Sequence, residues 1–227
     1  MPRRFSKTKT LLSVRQIRKV SCGFSRVELL VVVGVLALVM ELALARGSGA
    51  RTQSQATICL GNLDQLIRAW NLYAQDNGGK LLMGFHGGQA QGGALANNPG
   101  YAVWAVGWLD WTTASDNTNT LFLTGEKYSR LAAYLSHQAG PFKCPADVYL
   151  SRPQIARGWK QRVRSYSGSV GVGDGNAEAG PWDPIYKHVK RIDDFVQPGP
   201  ADTSVYQEEH PDSINDASVF GPRSSSW

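Results

Sequence analysis

The sequence predicts an α+β fold. A long N-terminal helix, half membrane-embedded and half amphipathic stalk, packs on the small antiparallel sheet of a head. Three observations predict it. An apolar run from Leu29 to Ala45, interrupted by Glu41, follows a long basic preamble. Apolar residues then recur at helical spacing from Cys59 to Ala74. Short strand-like stretches separated by turn residues fill the remainder, as in a mixed domain and unlike a bundle. The 227 residues carry a net charge of +6 and are 42% hydrophobic, which excludes a collagen, a disordered tail and a multi-span membrane protein.

The positive charge sits at the front. Residues 1–23 hold seven cations (Arg3, Arg4, Lys7, Lys9, Arg15, Arg18 and Lys19) and no acid, leaving 17 cations against 18 acids in the rest. The basic character therefore belongs to the preamble and implies no nucleic-acid partner for the remainder. As a helix, Leu29 to Ala45 would measure roughly 25 Å, enough to cross a hydrocarbon core with some local thinning. Eight cations precede the run, counting Arg26, and Arg46 and Arg51 follow it. The positive-inside bias puts the N-terminus in the cytoplasm and residues 47–227 outside.

Three membrane readings compete. One is a secretory signal cut at Ala43-Leu44-Ala45, another a permanent signal anchor. The third is a leader removed on the cytoplasmic face between Gly23 and Phe24, and it accounts for the most residues. A carboxylate at the inner edge of an apolar helix costs a few kcal/mol to insert unless partnered. After cleavage, Glu28 could pair with the free α-amine of a neighbour's Phe24 as helices pack side by side. Either charge alone is expensive there, so the pairing rewards register.

Gly23-Phe24-Ser25-Arg26-Val27-Glu28-Leu29-Leu30-Val31-Val32-Val33 resembles the prepilin cleavage/methylation signature of type IV pilins and type II secretion pseudopilins. The resemblance implies cleavage after Gly23, N-methylation of Phe24, and Glu28 as the assembly residue. Arg26 departs from the usual aliphatic residue, Glu41 is unusual within the span, and Ala45 stands where many relatives have a kinking proline. The implied architecture is a cytoplasmic leader 1–23, a transmembrane helix 24–45, a stalk helix 46–77 and a pilin-like head 78–227. The implied location is the inner membrane, single-pass, with the head periplasmic or extracellular. The implied partners are further copies, other pilin-like subunits, a prepilin peptidase/methylase, and the platform of a secretion or pilus machine.

Beyond a Gly47-Ser48-Gly49 interruption, Cys59, Leu63, Leu66, Ile67, Trp70, Tyr73 and Ala74 form the stalk's apolar stripe, where the head should pack. Asn77-Gly78-Gly79 should stop the helix. The stretch from Ile58 through Asp76-Asn77 resembles the stalk of pseudopilin-like proteins abundant in planctomycete and verrucomicrobial lineages.

In the head, residues 78–100 read as an exposed Gly-, Gln- and Asn-rich loop. Tyr101 to Trp111 reads as a buried strand. Asp116-Asn117-Thr118-Asn119-Thr120 should cap a short helix containing Tyr128, Leu131, Tyr134 and Leu135. Strands are expected near Val163–Val172, Thr203–Gln207 and Ser218–Phe220. Lys143-Cys144-Pro145-Ala146-Asp147, Arg164-Ser165-Tyr166-Ser167 and the segment Glu209 to Asp216 resemble the head of the same subgroup. Relatives continue into a further strand ending in Asp-Gly-His, whereas this chain ends Arg223-Ser224-Ser225-Ser226-Trp227. Against the resemblance, the head is then either truncated at its C-terminus or a genuine variant.

Cys22 would leave with the leader. Cys59 and Cys144 both fall outside the membrane, where oxidation is permitted. They are read as a disulfide, worth roughly 4 kcal/mol if unstrained, or as two buried thiols. Glu208, Glu209, His210, Asp212 and Asp216 form the densest acidic cluster; Glu208, Glu209, Asp212 and Asp216 could hold calcium, although no EF-hand spacing exists and a solvated acidic turn is the plainer reading. No other cofactor is expected. No nucleophile elbow, P-loop or His-Glu-x-x-His occurs, so no enzyme is expected. The function so read is a structural subunit assembling into a pseudopilus or short pilus. The rival is an anchored or secreted binding protein that recognises a glycan through Trp104, Trp108 and Trp111.

Overall fold

The computed structural model describes residues 25–85, 87–97, 100–175, 188–197 and 199–220, with side chains described throughout these except at 42–52 and 94–97. The leader with Gly23 and Phe24, and the terminal Arg223–Trp227, lie outside the described residues. The chain divides into two compact units, Met1–Ser48 and Gly49–Trp227.

Helix α1 is assigned over Arg26–Asp76. Its start is a capping box: the Ser25 N–H donates to Glu28 Oε2 at 2.8 Å, and the Glu28 N–H donates to Ser25 Oγ at 3.2 Å. In the first unit, every large apolar side chain from Val27 to Met40 is exposed. Among the described residues no helix is long and apolar enough to cross a membrane. The expected span runs past the described side chains at both ends, at Phe24 and from Leu42 onward. The expected break at Gly47-Ser48-Gly49 is not seen in the backbone, which stays helical there. Glycine costs a helix interior only about 1 kcal/mol, which discourages a helix without ending it. The boundary between the two units falls inside this triplet.

In the second unit, α1 buries Cys59, Leu66, Ala69, Trp70, Tyr73 and Ala74, with Leu63 and Ile67 half-buried beside them. That is the stripe expected from the spacing. The helix ends as a Schellman motif, with Gly78 at φ +63° and the Gly79 N–H donating to the Ala74 carbonyl at 2.7 Å.

Three strands make the sheet: β1 (Tyr166–Ser169), β2 (Tyr206–Glu208) and β3 (Ser218–Val219), in the order β2-β1-β3. β1 and β2 are antiparallel, Gly168 facing Tyr206, whereas β1 and β3 are parallel, Gly168 facing Ser218. The sheet is therefore mixed, correcting the antiparallel expectation. After β2 the chain crosses to the far edge of β1, and the fully buried Arg164 stitches that crossing. Its guanidinium donates to the carbonyls of Gly107, Asn215 and Asp216. Burial lowers its pKa to about 10, so it remains cationic at neutral pH. Tyr166, also fully buried, donates its hydroxyl to the Cys59 carbonyl at 3.1 Å and ties β1 to the stalk. At Gly168 a Cβ would lie 2.8 Å from Trp104 Nε1, so only glycine lets the indole approach β1.

Tyr101 to Trp111 is buried from Val103 to Gly107, as expected, yet it is no strand. Its backbone groups bond to scattered partners: Trp104 N–H to the Met83 carbonyl, Gly107 N–H to Ala90, Leu109 N–H to Asn215. Gly107 at φ +102° turns the path out of extended geometry. The helix expected after Thr120 also shortens. Helix α2 covers Leu121–Thr124 alone, Gly125 leaves it in extended geometry, and Ala133–Leu135 forms a separate 3₁₀ turn. A third helix, α3 (Arg152–Ala156), opens with a capping box between Ser151 and Gln154.

Candidate functional site

The residues expected to matter lie in separate places. Gly23 and Phe24 are outside the described residues. Glu28 is exposed on the first unit and is engaged by its own helix start, as its carboxylate accepts the Ser25 N–H. Sequence reasoning singled out Glu28 and passed over Ser25. The signal was present as Ser-x-x-Glu immediately before an apolar run.

Cys59 on α1 and Cys144 in the head are joined by a disulfide, with Cα atoms 4.8 Å apart. Beneath it lies a buried polar knot. Lys143 Nζ and Ser165 Oγ both donate to Asp147 Oδ2, the latter at 2.8 Å, and Ser165 Oγ accepts the Cys144 N–H at 3.2 Å. Burial lowers the pKa of the Lys143 ammonium against the opposing pull of Asp147. Cys59, Cys144 and Glu208 bring their ligand atoms within 4.8 Å of one another. With both sulfurs spent in the disulfide, that trio is not a metal centre.

The acidic cluster does not assemble. Among the described residues no other group of three His, Cys, Asp or Glu side chains converges. Glu208 is exposed at the end of β2, Asp212 is exposed beside His210, and the Glu209 backbone N–H joins the Ser165 carbonyl. Asp216 is turned inward instead. It is buried and accepts the N–H groups of Gly87 at 2.7 Å and Ser218 at 2.8 Å, clamping a loop to β3. With Asp216 buried as a loop clamp, Glu209 half-buried, and Glu208 and Asp212 at the surface, calcium finds no common centre.

The three tryptophans do not form one platform either. Trp104 is core: its ring stacks on Phe142 and packs against Tyr206, and its indole N–H donates to the Ala217 carbonyl at 2.9 Å. Trp111 is covered by the Arg162 guanidinium, 4.3 Å from its ring centre. Trp108 alone lines an open cavity of about 320 Å³, together with Gln91, Gly92, Asp110, Ala114 and Asp116.

That cavity has a built floor. Asp116 is buried, and its Oδ2 accepts the N–H groups of Gly92 at 2.8 Å and Trp108 at 3.0 Å. Asp110 Oδ1 accepts the Thr112 N–H, the Thr112 hydroxyl and Asn117 Nδ2. These donors and the Arg162 charge hold the Asp110 carboxyl below its usual pKa although burial pushes the other way. Gln154, fully buried on α3, donates to the carbonyls of Asp110 and Thr112 at 2.9 and 2.8 Å. Asp116 and Asn117 had been expected to cap a helix; they anchor this floor instead. Sequence reasoning missed Asp110 and Gln91, which only the fold brings to one cavity with Trp108 and Asp116. No family model, curated protein or solved structure matches the chain.

Proposed function

We propose that the chain is a pilin-like structural subunit that a prepilin peptidase cleaves after Gly23 and methylates on Phe24. The apolar helices of many copies would then pack laterally into a pseudopilus or short pilus, serving type II secretion or a related machine at the inner membrane. The observation that carries this reading is the stretch Gly23-Phe24-Ser25-Arg26-Val27-Glu28 running directly into an exposed apolar helix. An apolar surface of that continuity is unstable in water and calls for lipid or other helices. A carboxylate at its edge is affordable only with a partner. The Ser25 cap partners Glu28 within its own chain, and the neighbour's α-amine would partner it in the assembly.

The head supports the reading as an extracytoplasmic unit. Its disulfide suits an oxidising compartment, and its core is built on the stalk stripe. Mass spectrometry of the mature N-terminus tests the proposal. The expected product begins at N-methylated Phe24. A product beginning at Arg46, or an uncut chain, overturns it.

A further inference from the structure

The cavity beside Trp108 is an open space with the buried Asp116 in its lining and the buried Asn117 and Gln154 behind it. At about 320 Å³ it lies at the small end of ligand pockets, roughly 300–1,000 Å³. Its lining combines a half-buried indole, two carboxylates and an exposed amide. We propose that it binds a neutral saccharide, with Trp108 against the C–H face of a sugar ring and Asp110, Asp116 and Gln91 meeting the hydroxyls.

The positions of these groups are set before any ligand arrives. Asn117, fully buried, exchanges two hydrogen bonds with Asp110: it accepts the Asp110 N–H at 2.9 Å and donates to Oδ1 at 2.7 Å. Ser151 Oγ donates to the Trp111 carbonyl at 2.7 Å, so the start of α3 braces the same loop from outside. A site held by such a second layer loses little entropy on binding.

The chemistry of the lining selects the ligand class. An indole presents a broad apolar surface with a polar tip, suited to a partner that is apolar on one face and hydroxylated at its rim. Ionised carboxylates are acceptors only, so they call for donors. Asp116 uses Oδ2 for its two backbone donors, and no bond to its Oδ1 is seen among the described residues. An acidic sugar would face two like charges. A cationic ligand would be drawn by the same two carboxylates, less the share of Asp110 that Arg162 and its hydrogen bonds already answer, and is therefore the competitor the test has to separate. Hydroxyls need only the remaining lone pairs. Gln91, able to donate and accept, completes the set.

The site is separate from the leader and from Glu28, so it stands or falls independently of the pilin reading. The test uses the full chain in nanodiscs, avoiding sugar-based detergents that would compete. The probes are neutral tetrasaccharides of glucose, mannose, galactose and N-acetylglucosamine, with n-butylammonium as the cationic control, read by tryptophan fluorescence and calorimetry. At least one tetrasaccharide should bind. Trp108→Ala and Gln91→Ala should each weaken it at least tenfold, while both variants keep the wild-type circular dichroism and melting curve. Trp108→Phe should retain part of the affinity, because a smaller ring still stacks. Binding of no tetrasaccharide by the wild type overturns the proposal, as does equal affinity in Trp108→Ala and Gln91→Ala. Displacement of the sugar by n-butylammonium also overturns it, since the site would then be one for cations.

Discussion

Glu208 stands at the edge of the polar knot under the disulfide and feels it from outside. Asp147 is served by two donors, Lys143 Nζ and Ser165 Oγ, and its negative charge faces Glu208 across the knot. Partial desolvation of a side chain that is otherwise open to water, first, and Asp147, second, hold the Glu208 carboxyl above its usual pKa, with Lys143 pulling the other way. The sign of the consequence follows from linkage. A carboxyl whose folded pKa is raised gives stability that is fully present below its unfolded value, about 4.3, and lost as pH rises through the folded value. Glu208→Gln removes that loss. The variant should melt above wild type at neutral pH, and the gap should close as pH falls below about 4. Melting curves across that range check it. A variant less stable than wild type at neutral pH would mean that the attraction of Lys143 outweighs burial and Asp147 together. Either way the residue acts by its charge state, since its side chain is exposed and contributes little packing.

At the scale of elements, the disulfide and Tyr166 both fasten the head to the stalk, at adjacent points on one turn of α1. The disulfide takes Cys59 by its side chain, and the Tyr166 hydroxyl takes the same residue by its carbonyl. A link between residues 85 apart removes much loop-closure entropy from the unfolded chain, and its loss should cost roughly 4 kcal/mol. Cys59→Ser, Cys144→Ser and reduction should each lower the midpoint of denaturation, and each should abolish a faster band on non-reducing gels. Alkylation of both thiols in native protein would contradict the linkage. The same elements show what the sequence disclosed. The stripe from Cys59 to Ala74 was legible because a helix imposes a period that needs no partner to define it. Tyr101 to Trp111 disclosed its burial and hid its geometry. Its hydrogen bonds go to Met83, Ala90 and Asn215, and no local pattern names partners that far away. The parallel pairing of β3 was hidden for the same reason, since the crossing before it is tied by Arg164, some fifty residues upstream. The Trp108 cavity is half legible: an aromatic-rich stretch marks the place, while Asp116 reads as a helix cap because nothing local names the Gly92 N–H that its carboxylate accepts.

At the scale of the whole molecule, charge and apolarity are segregated along the chain: cations gather in residues 1–23, the apolar helix surface follows, and the remainder is near neutral. That order suits a subunit whose front is removed, whose helix is buried among copies, and whose head faces water. On the proposed function, Glu28 would have two competing partners, the Ser25 N–H of its own chain and the α-amine of a neighbour. Ser25→Ala should remove only one half of the cap, the Oγ that accepts the Glu28 N–H, costing the helix start about 1 kcal/mol while the carboxylate keeps the residue-25 N–H and stays as able to meet the neighbour as in wild type. Glu28→Leu should remove both partnerships. Insertion should survive, because the change makes the helix more apolar. Assembly should not, because the neighbour's amine is then left alone at the membrane edge, where an unpaired charge is costly. Cross-linking in membranes separates the two roles. Wild type and Ser25→Ala should give ladders of oligomers, and Glu28→Leu should give monomers with the same membrane content. Equal ladders from all three would leave Glu28 as a helix cap and nothing more, and the lateral packing would then have to be explained by the apolar surface from Val27 to Met40 alone.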